Sequence, residues 1–294
     1  MASKTRDLVA EQLKQIEKGN PDVMNDLGIY YDKKGNFEEA EKYYLQAVEH
    51  GSAKAANNLG ILYANSGKLQ KAEKYLIKAI SENYLEAEYN LGILYQNNGK
   101  LKEAEKCYLN AIKHGNQTAF RNLGFLYQTL GDTINAEIYY KKALEIKPND
   151  ENSLKNLLQL LYFQDKRMEM KKYIPFIIDK NSFTYNLSNF RVAILENDEM
   201  EVEKSLLRIS SNDKFLEEYN ESFYTELASV AGLSKNTIKY SNIIFEKAYK
   251  KYANKNIVDT YANFLIEIKE YRKAEDILMK YIVNNENNLD EYAL

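Results

Sequence analysis

Part of the chain repeats itself every 32 residues, and that interval restricts the fold more than anything else in the sequence. Asp26-Leu27-Gly28 is echoed by Asn58-Leu59-Gly60, Asn90-Leu91-Gly92 and Asn122-Leu123-Gly124. In phase with them run Tyr31, Tyr63, Tyr95 and Tyr127; Gly35, Gly67, Gly99 and Gly131; Ala40, Ala72, Ala104 and Ala136; and Ala47, Ala79, Ala111 and Ala143. A unit of this size cannot enclose its own hydrophobic face, so successive units must stack.

Within a unit, apolar residues recur at spacings of three and four, as in Leu59, Leu62 and Tyr63 before Gly67 and Leu69, Ala72, Leu76 and Ala79 after it. That is helix, turn, helix. Gly67 falls where the first helix must stop, in a position suited to the left-handed conformation of a helix C-terminus. Gly60 lies inside a helical pattern, where glycine costs about 1 kcal/mol relative to alanine. The expected compensation is close backbone approach, with Gly28 and its echoes facing the small Ala40, Ala72, Ala104 and Ala136. Tyr31, Leu27 and their echoes would fill the space between hairpins.

The order Leu-Gly-x-x-Tyr, a turn glycine, then two alanines seven residues apart resembles the tetratricopeptide repeat, whose usual length is about 34 residues. The shorter link between units, as in Ala47, Gly51, Ala55, Leu59, Gly60 and Tyr63, is similar to that of Sel-one-like repeats. The resemblance is clear over 21–148 and implies an all-α fold, a right-handed α-α superhelix of helical hairpins. A fifth, degenerate unit follows Pro148, with Leu158, Met170 and Ile177 in the glycine and alanine columns. The expected organisation is an N-terminal capping helix in 1–20, built on Leu8, Leu13 and Ile16. Five hairpins in 21–180 follow it, then degenerate helical repeats in 181–294. These end in a hairpin spanning Thr260 to Ile282 and a C-terminal cap, with breaks near Asn197, Asn212 and Gly232, all within one continuous superhelix.

Composition narrows the function. With 40 basic and 43 acidic residues and a formal charge of −3, the chain lacks the basic balance of a nucleic-acid binder. One cysteine excludes an internal disulfide framework and is compatible with a reducing compartment. No stretch approaches the roughly 18 apolar residues that span a bilayer, and 1–19 lacks the apolar run of a secretory signal. The expectation is a cytoplasmic protein with no membrane partner.

Catalytic chemistry has little to work with. The two histidines, His50 and His114, occupy the same position at the end of a second helix, where a side chain able to carry positive charge suits the helix dipole. Cys107 stands in the column of Tyr43, Tyr75 and Tyr139, in place of a packed aromatic. Carboxylates such as Glu38, Glu39, Glu41, Glu103 and Glu105 read as solvated charges with lysines nearby. No metal-ligand spacing, phosphate loop or nucleophile elbow is present, so no catalytic residue, metal or cofactor is expected.

In tetratricopeptide arrays the first helix of each hairpin lines the concave face. The matching columns hold Asn57, Asn58, Ile61, Ala64 and Asn65; Tyr89, Asn90, Ile93, Gln96 and Asn97; and Arg121, Asn122, Phe125, Gln128 and Thr129. The first unit contributes Asn25, Asp26, Ile29, Asp32 and Lys33. Amides both donate and accept, so they could pair with the main chain of a guest peptide while the apolar row Ile29, Ile61, Ile93 and Phe125 takes its side chains. Alternatively, Asn58, Asn90, Asn122 and Asn156 brace neighbouring repeats. Tyr89 and Arg121 are of the residue types that dominate hot spots. The lysine and asparagine with which related arrays grip acidic chaperone tails are missing from their columns. The resulting expectation is a non-enzymatic adaptor or scaffold for a protein or peptide. The competing readings are a peptide-sensing regulator whose superhelix changes shape, and self-association through the C-terminal helices.

Overall fold

The computed structural model describes residues 19–219, 221–230 and 234–284. The expected capping helix, the C-terminal cap and the break near Gly232 lie outside these residues. The described residues form helices and turns and contain no strand. Compact units divide at the link after α8, giving Met1–Pro148 and Asn149–Leu294.

The first unit holds four hairpins: α1 (Pro21–Lys33) with α2 (Phe37–Glu49), α3 (Ala53–Asn65) with α4 (Leu69–Ser81), α5 (Ala87–Asn97) with α6 (Leu101–Lys113), and α7 (Ala119–Thr129) with α8 (Thr133–Ile146). Each second helix packs on the first helix of the next hairpin, so the hairpins stack in sequence order. Starts are fixed by side-chain caps. Asn20 accepts from the Asp22 and Val23 amides ahead of Pro21, Ser52 Oγ from the Ala55 amide, and Asp132 from the Asn135 amide.

Stops are fixed by one recurring motif. Gly67 takes φ 71°, its amide reaches the Ala64 carbonyl, and the Lys68 amide reaches back to Tyr63 at 2.9 Å. This pair of bonds satisfies carbonyls that the helix end would otherwise leave unpaired. Between repeats the same bend recurs with Gly51 and Gly115, and at the intervening link Asn83 adopts φ 67° in place of glycine. Asparagine is the side chain that tolerates this region best.

The helix glycines face something other than expected. A Cβ placed on Gly28, Gly60, Gly92 or Gly124 would lie 2.4 to 2.8 Å from Tyr44, Leu76, Tyr108 or Tyr140 respectively. Ala40, Ala72, Ala104 and Ala136 are fully buried, but they are not the main neighbours of those glycines. The missing side chain admits a large one from the second helix. Burying such a side chain is worth about 1.5–3 kcal/mol, which exceeds the roughly 1 kcal/mol that glycine costs a helix. Tyr31, Tyr63 and Tyr127 stack or tilt against Tyr43, Tyr75 and Tyr139, with ring centroids 5.4 to 5.6 Å apart. Leu59 and Leu123 are fully buried beneath them.

The second unit begins with the hairpin of α9 (Glu151–Phe163) and α10 (Arg167–Tyr173), which the sequence had grouped with the regular four. Leu158, Met170 and Ile177 are all buried there, so large side chains fill what glycine and alanine leave open in the first unit. Pro175 lacks an amide proton, and α10 gives way to a 3-10 turn at Ile174–Phe176. Then come α11 (Phe183–Glu196), α12 (Glu199–Ser210), a 3-10 turn at Asp213–Glu217, α13 (Glu221–Ser229), α14 (Lys235–Tyr252), α15 (Lys255–Glu267) and α16 (Tyr271–Asn284). Asn197 ends α11 in the left-handed region, and Asn212 caps the second 3-10 turn.

Here the packing order is irregular: α12 lies against α14, and α13 against α15. Phe183, Phe190, Phe223, Phe245 and Phe264 form an aromatic core. Beside it, Arg191 donates to both oxygens of Glu226, with Nε–Oε2 at 3.0 Å and Nη2–Oε1 at 2.8 Å, and both side chains are buried. The Arg191 guanidinium also sits 5.1 Å from the centre of the Tyr162 ring. In the last hairpin, α15 with α16, Lys269 supplies the left-handed turn residue and Ala274 is buried.

Candidate functional site

The first helices α1, α3, α5 and α7 carry the columns expected to meet a partner. Their amides form a ladder. Asn58 Nδ2 donates to Asn25 Oδ1 at 2.9 Å, Asn90 Nδ2 to Asn57 Oδ1 at 2.8 Å, and Asn122 Nδ2 to the Tyr89 hydroxyl at 3.1 Å. Each rung runs from the residue two before a helix glycine to the residue three before the preceding one. Asn57 also donates to Asn58 Oδ1 at 3.4 Å. Asn25 and Asn57 are buried, where an amide without a partner would be costly.

The ladder therefore takes up Asn57, Asn58, Tyr89, Asn90 and Asn122 in contacts between repeats. Gln128 is also engaged: its Oε1 accepts from the Tyr140 hydroxyl at 2.6 Å, as Gln96 does from Tyr108 at 2.7 Å. In the second repeat, where Leu76 replaces the tyrosine, Ala64 replaces the acceptor. Arg121 is half-buried on α7. What faces solvent along this surface is Asn65, Asn97 and Phe125, the last 49% exposed, with Ile61 and Ile93 half-buried.

A second set of contacts joins repeats at the opposite ends of the first helices. The Tyr63 hydroxyl donates to Glu41 at 2.7 Å, Tyr95 to Glu73 at 2.7 Å, and Tyr127 to Glu105. Glu41, Glu73 and Glu105 are thus half-buried acceptors rather than solvated charges. The sequence did contain the signal, since each glutamate precedes its tyrosine by the same 22 residues. Lys68 and Lys100 complete two of these clasps, 3.8 Å from Glu41 and 3.5 Å from Glu73. Burial, reinforced by the carboxylate, pushes the hydroxyls of Tyr63, Tyr95 and Tyr127 well above the ordinary phenol range.

His50 and His114 cap the C-termini of α2 and α6. His50 Nδ1 lies 2.9 Å from the Gln46 carbonyl oxygen, and His114 Nδ1 lies 2.7 Å from Glu88 Oε2. Burial pushes the Cys107 thiol up to about 11, with Glu88 and Glu103 adding to the shift. That is the opposite of what an activated nucleophile needs. Among the described residues, no group of three or more His, Cys, Asp or Glu side chains is arranged to hold a metal. Nor is any described helix long and apolar enough to cross a membrane.

Tetratricopeptide repeat family models match residues 25–84, and 85–113 with 119–150. Residues 25–150 carry tetratricopeptide repeats. Solved structures agree on the fold. A structure of PilF from Pseudomonas aeruginosa is 20% identical, covering 66% of this chain and 92% of that one with a TM-score of 0.57. A tetratricopeptide repeat protein from Parabacteroides merdae is 17% identical over 83% of this chain and 98% of its own, with a TM-score of 0.55. PilW, described as a widely conserved type IV pilus biogenesis factor, is 17% identical over 65% and 93%, with a TM-score of 0.53. No curated protein matches the sequence. Tetratricopeptide arrays are protein-interaction modules, and the array gives this chain that general character.

Proposed function

We propose that this protein is a non-enzymatic adaptor that holds a polypeptide segment against the first helices of its tetratricopeptide array. The observation that carries this reading is the contrast along α3, α5 and α7. The amide ladder ties the helices together from within, while Phe125 stands exposed at the end of an aliphatic row begun by Ile61 and Ile93. A surface whose polar groups are already satisfied and rigid loses little freedom when a guest binds.

On this reading Ile61, Ile93 and Phe125 take guest side chains, and Asn65, Asn97 and the edge of Arg121 bond its polar groups. Tyr89, Asn57, Asn58, Asn90, Asn122 and Gln128 fix the shape of the surface. The test is a photo-reactive phenylalanine analogue placed at 125 and, as comparison, at the outward-facing Lys74. Crosslinking in the producing cell should yield a discrete adduct from 125 only, lost on adding Asn97→Ala with the helical content unchanged. Equal labelling from both positions would remove the first-helix surface as the binding site.

A further inference from the structure

The fourth repeat departs from its sisters at the turn inside its hairpin and on the outer face of its second helix. Lys34, Ser66 and Asn98 are followed in register by Leu130; Glu38, Gln70 and Lys102 by Ile134; and Lys42, Lys74 and Lys106 by Ile138. Leu130 is 50% exposed, Ile134 72% and Ile138 42%. Leu130 caps the C-terminus of α7, and Ile134 and Ile138, four apart, share one face at the start of α8. A lone exposed aliphatic residue is ordinary. Three within nine residues, at positions that are polar in three sister repeats, set this surface apart from those of its sisters.

The same edge has lost a cation. In the first two clasps a lysine stands beside the tyrosine and glutamate, Lys68 at 5.5 Å from the centre of the Tyr63 ring and Lys100 at 5.2 Å from that of Tyr95. In the third clasp Tyr127 still donates to Glu105, but the lysine column reads Asp132. A carboxylate, near enough to act on the Tyr127 hydroxyl, therefore takes the register of the sister ammonium groups. Asp132 accepts from both the amide and the side chain of Asn135, and these bonds keep it ionised. It lies between Leu130 and Ile134 in the chain, so the vacated cation position adjoins the aliphatic row.

We infer that Leu130, Ile134 and Ile138, with Glu105 and Asp132, form a docking surface for an amphipathic partner helix. That helix lays aliphatic side chains on the row and supplies the lysine or arginine that this clasp lacks. The exposed row amounts to on the order of 300 Å² of apolar surface, short of the roughly 800 Å² per partner of a stable protein–protein interface but suited to one face of a single helix. This surface lies on the turn into a second helix and on that helix, and does not depend on the first-helix reading above.

The test uses the full chain and a fluorescent synthetic amphipathic helix of leucine and lysine, with a leucine–glutamate version as comparison, read by anisotropy. The leucine–lysine peptide should bind and the leucine–glutamate peptide should not. Ile134→Lys and Asp132→Asn, the latter keeping the helix cap, should each weaken binding about tenfold with circular dichroism unchanged. Glu49→Gln, which removes the same charge from α2, should leave binding intact. Equal binding of both peptides, or equal loss with Glu49→Gln, overturns the proposal. So does sedimentation showing self-association that Ile134→Lys abolishes, because the surface would then belong to a second copy.

Discussion

Asn90 reaches back across a repeat boundary to donate to Asn57 Oδ1 at 2.8 Å, and Asn57 is only 4% exposed. Removing the acceptor strands a donor in a dry site. Asn57→Ala should cost about 1–3 kcal/mol, and a double-mutant cycle with Asn90→Ala should return a coupling of about 0.5–1.5 kcal/mol. Urea denaturation gives the totals, and amide exchange should place the loss in α3 and α5. If Asn57→Ala proved no more damaging than Asn65→Ala, the ladder would carry no weight.

Gly92 has the Tyr108 ring where its Cβ would be. Overpacking of this kind costs about 1–3 kcal/mol, against which alanine's better helix propensity returns about 1 kcal/mol. Gly92→Ala should therefore lower the thermal midpoint despite being a helix-favouring change. In a Tyr108→Ala background, itself strongly destabilised, the same Gly92→Ala change should cost less, which a double-mutant cycle measures.

The tyrosine clasps give the array an alkaline limit. Tyr63, Tyr95 and Tyr127 have pKa values raised above their unfolded value of about 10. The folded state thus holds these protons more tightly than the unfolded chain. The associated stability is complete below pH of about 10 and falls as pH rises beyond it. Chemical denaturation at stepped alkaline pH should show this decline, and replacing all three by phenylalanine should make it shallower, the remainder coming from buried tyrosines such as Tyr44 and Tyr108. An unchanged slope would mean the raised values have no energetic consequence.

In the second unit, Glu226→Ala leaves the Arg191 guanidinium buried without its carboxylate. The cost should be about 3–5 kcal/mol, whereas the paired change Arg191→Met with Glu226→Leu should be far milder. Unfolding followed by amide exchange in α11 and α13 separates the two. Similar losses for both variants would show that packing, not charge, decides this site.

How far each of these features could be read from the sequence depends on what a repeat displays. The turn at Gly67, the stacking of hairpins and the aromatic column with its gap at Cys107 follow from residues that recur in phase. Recurrence does not say which column faces which. Gly92 was matched to Ala104 because both are small, yet it meets Tyr108, since what a glycine leaves open suits a large neighbour as well as a small one. Asn90 could serve a guest or a neighbouring repeat equally well, because an amide offers the same donor and acceptor to either; only the 2.8 Å contact with Asn57 decides its present partner. Arg191 and Glu226 have no echo elsewhere in the chain, so nothing periodic announced them.

The left-handed link residues and the rungs of the ladder share one property: each refers only to the adjacent repeat. Excising 85–116 would bring Asn122 opposite Asn57, the acceptor that Asn90 now uses. Array length is then a quantity that an ancestral gene could change by whole units, through duplication or loss, without inventing a new joint.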